Sequence, residues 1–242
     1  VLNPDEELGS PASTSLLQAE AKGHVAGLVF EPALEDGQLA GARGGNGNFD
    51  LVIRGRSAHV GREFAQGRSA IHVAGEVVAL LANLNQAQGV TVNVGRIDGG
   101  GPVNQVADLA IIRFNVRVAD AGKQEAIGND LRRLTMVLGR RDGITATLHG
   151  DFLSPPKPLE GATLELFHRV RTCGKQLELD LSWKNTGGVC DGNKLQAFGL
   201  PTIDTLGVRG GGLHTDEEFV IVDSLVERSQ LALLVLLSLA SE

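Results

Sequence analysis

Apolar and polar residues alternate from Phe49 to Arg56, again from Val90 to Ile97, and over the longer run Val106 to Val118, which is the period-two signature of half-buried strands. Between the first two runs, Ile71, Ala74, Val77, Val78 and Leu81 fall at helical spacing within Arg68–Leu84. A second amphipathic helix is predicted over Gly122–Leu138, and a last strand over Ile144–His149. The order strand, helix, strand, strand, helix, strand is that of a split βαβ, or ferredoxin-like, sandwich. Residues 48–152 therefore read as a self-contained unit.

The flanking segments follow a different rhythm. Before the sandwich, a helix is expected over Pro11–Lys22, with a proline near its start and Gly23 after its end, followed by the apolar run Val25–Phe30. The glycine-rich stretch Gly37–Gly47 reads as a loop that carries the chain out. After the sandwich, Ser154–Pro158 reads as a stiff return linker. A helix at Leu164–Gln176, a strand at Glu178–Trp183, a short helix at Gly192–Phe198, a strand at Pro201–Leu206 and an amphipathic terminal helix follow it. Both flanks are α/β in style, so the pattern implies one α/β domain, residues 1–47 and 153–242, interrupted by the sandwich.

Composition narrows the partners. With 42% hydrophobic residues and a mean hydropathy of +0.03, the chain reads as soluble and globular. A net charge of -7, no tyrosine and 4% aromatic residues argue against a nucleic-acid partner. The most apolar stretch, Leu231–Ala240, is far shorter than the ~20 residues of a membrane helix, so no membrane association is expected. Cys173 and Cys190 read as reduced core residues, with no disulfide framework. Since Val1 is followed almost at once by chemistry-bearing residues, an upstream segment is expected.

Three places carry that chemistry. Leu2–Ser10 sets the adjacent carboxylates Glu6 and Glu7 in a turn bounded by Pro4 and Gly9, where one can bind a cation while its neighbour moves a proton. Glu31 closes the run Val25–Phe30 ahead of Pro32, where a buried strand ends and a site can open. His214 follows Gly210–Gly212 in a flexible loop. Carboxylate oxygens and an imidazole nitrogen are the ligands of catalytic zinc sites.

Five segments occur in a characteristic order: Asn3–Ser10, Phe30–Pro32, Gly55–Gly61, Gly99–Asn104 and Leu213–Asp216. In this order the chain resembles the co-catalytic zinc carboxypeptidase and deacylase family, whose members include glutamate carboxypeptidase, acetylornithine deacetylase, succinyl-diaminopimelate desuccinylase and aminoacylase. The resemblance implies an N-terminally truncated zinc-peptidase α/β catalytic domain interrupted by a ferredoxin-like βαββαβ dimerisation domain. It further implies an amide hydrolase releasing an amino acid with a free carboxylate from a small-molecule or peptide substrate. Its cofactors would be two divalent cations, zinc first, with cobalt or manganese also compatible.

Residue by residue, the resemblance makes Glu6 the general base, Glu7 and His214 ligands of one cation, and Glu31 a ligand of the other. His59 would reach the partner's site across a homodimer interface to stabilise an oxyanion, the bland alternative being a turn histidine. Asn104 and Arg117 would bind the substrate's carboxylate or carbonyl, with Arg113, on the same strand face, competing with Arg117. Gly187, Gly188 and Asp191 would line the substrate pocket; a phosphate-loop reading of the same glycines lacks the Gly-Lys-Ser/Thr ending. Lys157 stands where glutamate-specific relatives tend to carry an arginine. The family's remaining ligands, a His-x-Asp histidine and a bridging aspartate, have no match here. An N-acyl amino acid deacylase is the alternative within enzymes, and a catalytically silent dimerising fragment the alternative outside them. A cytoplasmic location is expected, with a periplasmic or secreted one left open.

Overall fold

The computed structural model describes residues 1–241. The strands are β1 (Gly27–Leu28), β2 (Leu39–Arg43), β3 (Gly45–Arg54), β4 (Val90–Gly99), β5 (Leu109–Val118), β6 (Thr145–Ser154), β7 (Trp183–Thr186), β8 (Thr202–Ile203), β9 (Gly210–Gly211) and β10 (Phe219–Val220). The helices are α1 (Thr14–Ala21), α2 (Val60–Glu63), α3 (Ala70–Asn83), α4 (Ala121–Gly139), α5 (Gly161–Gln176), α6 (Asp191–Ala197) and α7 (Ser224–Ala240). The chain divides into two compact units, one formed by residues 1–44 and 154–242, the other by residues 45–153.

In the unit of residues 45–153, four strands lie in the order β4-β5-β3-β6, with β5 antiparallel to both β3 and β4. This is the sandwich that the period-two and helical patterns predict. Side chains alternate along β5, where Ala110, Ile112, Phe114, Val116 and Val118 are buried and the residues between them are not. These pack with Leu51 and Ile53 of β3, Val77 and Leu81 of α3 and Leu131 and Leu138 of α4 in one apolar core. Ser69 caps α3 by accepting from the His72 amide at 3.2 Å, and Asp120 caps α4 by accepting from the Lys123 amide at 2.8 Å.

The other unit has parallel pairings, β1 with β8 and β2 with β7. Its core joins Leu39, Phe167, Val170, Ile203, Leu206, Leu231 and Val235. Two sequence expectations fail here. Gly37–Gly47 is no loop, because β2 and the start of β3 occupy it. The glycines that suggest a loop are required by close packing: a Cβ on Gly41 would lie 2.8 Å from the Trp183 ring and 2.9 Å from Asn185 Oδ1. The strand expected at Glu178–Trp183 begins only at Trp183, since Glu178 adopts a left-handed φ of 61° and the segment before β7 turns.

Within this unit, a buried ion cluster joins the end of β2 to the segment that follows residue 153. Arg43 donates to both oxygens of Asp204, at 2.9 and 2.7 Å, and Lys157 Nζ stands 3.2 Å from the same carboxylate. Arg43 is 8% exposed, while Lys157 and Asp204 are fully buried. The backbones of Arg43 and Lys157 also exchange hydrogen bonds at 2.8 and 2.9 Å. Lys157 is therefore an interior cation.

Removing the shared anion strands two desolvated cations. Asp204→Ala is expected to lower unfolding stability by about 3–5 kcal/mol in urea titration; a loss below about 1 kcal/mol, the range of a surface pair, would contradict this account.

Candidate active site

Glu6 and Glu7 lie in a single 3₁₀ turn, Glu6–Leu8, closed by Gly9 at a left-handed φ of 84°. Glu6 is half-buried and Glu7 exposed, so the two carboxylates face different surroundings. Asp5 secures the turn by accepting from the Ala12 amide at 2.7 Å and the Ser13 hydroxyl at 2.5 Å, and the Ser13 bond holds its carboxyl below the ordinary range. On the far side Ser10, fully buried and left-handed at φ 54°, hands the chain on to α1.

Glu31 is placed by the extension of β1 along β8. The Gly207 amide donates to the Glu31 carbonyl at 2.9 Å, and a Cβ on Gly207 would come within 2.7 Å of the Phe30 and Glu31 carbonyl oxygens. Only glycine permits that approach. Burial raises the pKa of Glu31, with Asp204, Asp191 and Glu7 adding to the rise against the pull of Arg43. Burial likewise raises Glu6, helped by Glu31, Asp191 and Glu7 and opposed by Lys194. Glu6, Glu7, Glu31 and Asp191 thus form one electrostatic neighbourhood.

His214 is exposed on the loop joining β9 to β10, with a left-handed φ of 64°. A non-glycine residue pays on the order of 1 kcal/mol for that conformation, a strain that tends to be kept where a side chain has a task. Its amide faces Glu218 Oε2 at 3.4 Å. Among the described residues, no three His, Cys, Asp or Glu side chains gather closely enough to hold a metal ion. The donors fit a divalent cation in kind, since crowded carboxylates biased toward protonation are relieved by positive charge. In number they fall short of a full shell.

The remaining predicted residues fall in different places. Asp191 opens α6 but is 7% exposed, and its carboxylate accepts from the Ser10 hydroxyl at 2.5 Å and from the Asn3 amide. That engagement ties the start of α6 to the segment of the paired glutamates. Gly187 and Gly188 are exposed between β7 and α6, and the Gly188 carbonyl accepts from Arg43 at 3.1 Å. His59, Asn104 and Arg117 belong to the unit of residues 45–153 and are all exposed. The His59 ring caps the short α2 by accepting from the Gly61 amide at 3.2 Å, and the Asn104 carbonyl accepts from Val60 at 3.0 Å. Arg113 shares the open face of β5 with Arg117 and is tied to Asp98 and Asp50. Cys190 is inert, because burial pushes its thiol up to about 12.

Sequence reasoning misses Arg43, Ser10, Lys194 and Asp204. Arg43, Lys194 and Asp204 lie outside the five segments, Ser10 only ends the first of them, and a lone charged or hydroxyl residue carries no signal of burial. Only their convergence in the fold reveals them.

Residues 41–141 match the peptidase dimerisation domain family designated M20_dimer. Carboxypeptidase G2 of Pseudomonas sp. (strain RS-16) is 26% identical over 247 residues, spanning 100% of this chain and 59% of the relative. Among solved structures, the aminopeptidase PepT of Bacillus cereus superposes with a TM-score of 0.77 at 21% identity, over 92% of this chain and 61% of PepT. YxeP of Bacillus subtilis, a dinuclear metal binding peptidase from the M20 family, gives a TM-score of 0.72 at 19% identity, over 96% of this chain and 62% of its own. The fold is shared with these solved structures, and residues 41–141 are similar to the M20 dimerisation domain. The chain spans about three fifths of the length of each of these proteins. The unit of residues 1–44 and 154–241 carries the paired glutamates, while His59, Asn104 and Arg117 fall in the segment that matches the dimerisation-domain family.

The sign of the Glu6 shift has a consequence for the metal-free chain. A carboxyl whose pKa is raised on folding costs stability fully above the raised value, and the cost vanishes once pH falls below the ordinary value of 4.5. Glu6→Gln is therefore expected to raise the midpoint of thermal unfolding at pH 7–8 and to leave it unchanged near pH 3. Equal midpoints at both pH values would contradict the crowding.

Proposed function

We propose that this chain acts as a metal-dependent amide hydrolase, a carboxypeptidase that releases an amino acid with a free α-carboxylate. The observation that carries the reading is the paired carboxylate turn. Burial first, and then Glu31, Asp191 and Glu7, bias half-buried Glu6 toward holding a proton, which is the direction in which a general base is tuned. The M20 fold and the likeness to carboxypeptidase G2 support the same reaction class.

Glu7, Glu31 and His214 would hold divalent cations, zinc by preference for mixed oxygen and nitrogen donors. When bound, such cations supply Lewis-acid polarisation and lower the pKa of water. Glu6 takes the proton from the attacking water and later delivers it to the leaving amine. His59 donates to the developing oxyanion from the partner subunit, and Arg117, with Asn104, holds the substrate's carboxylate. The dimerisation domain supports a homodimer.

The natural gene product carrying this chain, loaded with zinc, is expected to hydrolyse N-acyl glutamate and carboxyl-terminal peptide substrates. Glu6→Gln should lower kcat by about 10²–10⁴ with metal content unchanged, as for loss of a general base. Full turnover in that variant would sink the proposal. Sedimentation should show a dimer, and mixing Glu6→Gln with His59→Ala chains should restore activity that neither has alone. A strict monomer, or no restoration, would remove His59 from the reaction.

A further inference from the structure

The segment bearing Glu6 and Glu7 is gripped at both ends by one helix turn. Asp191, at the start of α6, accepts from Ser10 Oγ at 2.5 Å through Oδ1 and from Asn3 Nδ2 through Oδ2. Asn3 Nδ2 also donates to Ser10 Oγ at 2.8 Å, so the three side chains close a ring. One turn further along α6, Lys194 Nζ donates to the Gly9 carbonyl at 2.8 Å and lies 3.6 Å from Asp191. Asp191, Lys194 and Ser10 are 7%, 4% and 0% exposed.

Within the turn, the Ser10 and Leu8 amides both donate to the Asp5 carbonyl, at 2.8 and 3.1 Å, and the Gly9 amide donates to Glu6 at 2.7 Å. Residues 3, 9 and 10 are therefore fixed from α6, while none of these bonds engages the Glu6 or Glu7 carboxylate. A buried carboxylate is costly to desolvate and contributes most where its hydrogen bonds set a geometry. Ser10 is held in a left-handed conformation that its side chain disfavours, so something must over-determine it. The Asp191 carboxylate does this.

We propose that Asp191 is a positioning residue: through Ser10 and Asn3 it fixes the ends of the turn that presents Glu6 and Glu7. The inference rests on the reading of Glu6 as the general base, but the clamp itself is testable without turnover. A substrate or metal contact by Asp191 is not part of it, because its oxygens are spent inside the protein.

The test is amide hydrogen exchange in the metal-free chain, read at Leu8, Gly9 and Ser10. Asp191→Ala is expected to speed exchange there by roughly tenfold or more, as for a locally opened turn, while Gly27 and Val29 beside β8 keep wild-type protection. Asp191→Asn retains an acceptor for the Ser10 hydroxyl and should restore most of the protection. Unchanged exchange at the turn in Asp191→Ala overturns the proposal. If that variant fails to fold, Ser10→Ala decides in the same way: faster exchange supports the clamp and unchanged exchange overturns it. In the zinc-loaded gene product, Asp191→Ala should lower kcat with KM little changed. Retained turnover in Glu6→Gln would instead defeat the reading of the base, leaving the exchange result to judge the clamp alone.

Discussion

The structure of the α/β unit depends on one anion shared by two buried cations. Asp204 has no solvent to face, and neither has Lys157, so each charge is tolerable only because the others are in place. The cluster joins three stretches far apart in the chain: the end of β2, the return from the dimerisation domain, and the residue after β8. Apolar packing could fill the same volume, but it would not dictate which strand end meets which. The backbone exchange between Arg43 and Lys157 shows the result, a fixed register where the chain leaves and re-enters the unit.

That fixed framework sets the carboxylates against one another. Arg43 belongs to the ion cluster and also pulls on Glu31, so the structural charge network and the candidate site share a residue. Glu6 and Glu31 are held where their negative charge is least welcome. A fold optimised only for stability would replace them. Their retention, with the strained backbones of Ser10 and His214, is the pattern of stability given up locally for chemistry.

Much of this was legible beforehand, for reasons that differ by region. In the dimerisation domain each strand has one wet face and one dry face, so β3, β4 and β5 print their pattern directly in the sequence. The helices α3 and α4 do so for the same reason. In the α/β unit, β1 and β8 are two-residue pairings, too short to carry a period, and β2 is interrupted by Gly41, where a Cβ would meet Trp183. Glu6, Glu7, Glu31 and His214 could be singled out because they sit at punctuated positions beside proline or glycine. Asp191 stands out only as the start of a helix, and its bonds to Ser10 and Asn3 have no signal in the spacing. The buried roles of Arg43, Lys157 and Asp204 were invisible, because a charged residue's burial is decided by partners more than forty residues away.

Asn193, fully buried, spans the junction by donating to the Gly44 carbonyl at 3.0 Å and to the Pro155 carbonyl at 2.7 Å. One amide group therefore staples together the two polypeptide crossings that flank residues 45–153. A segment tethered through such neighbouring stems is in effect a cassette: its length, surface and oligomeric habit can drift, or be exchanged wholesale, while the host closes behind it unchanged. One α/β core could acquire new companions in this way without re-inventing its own interior.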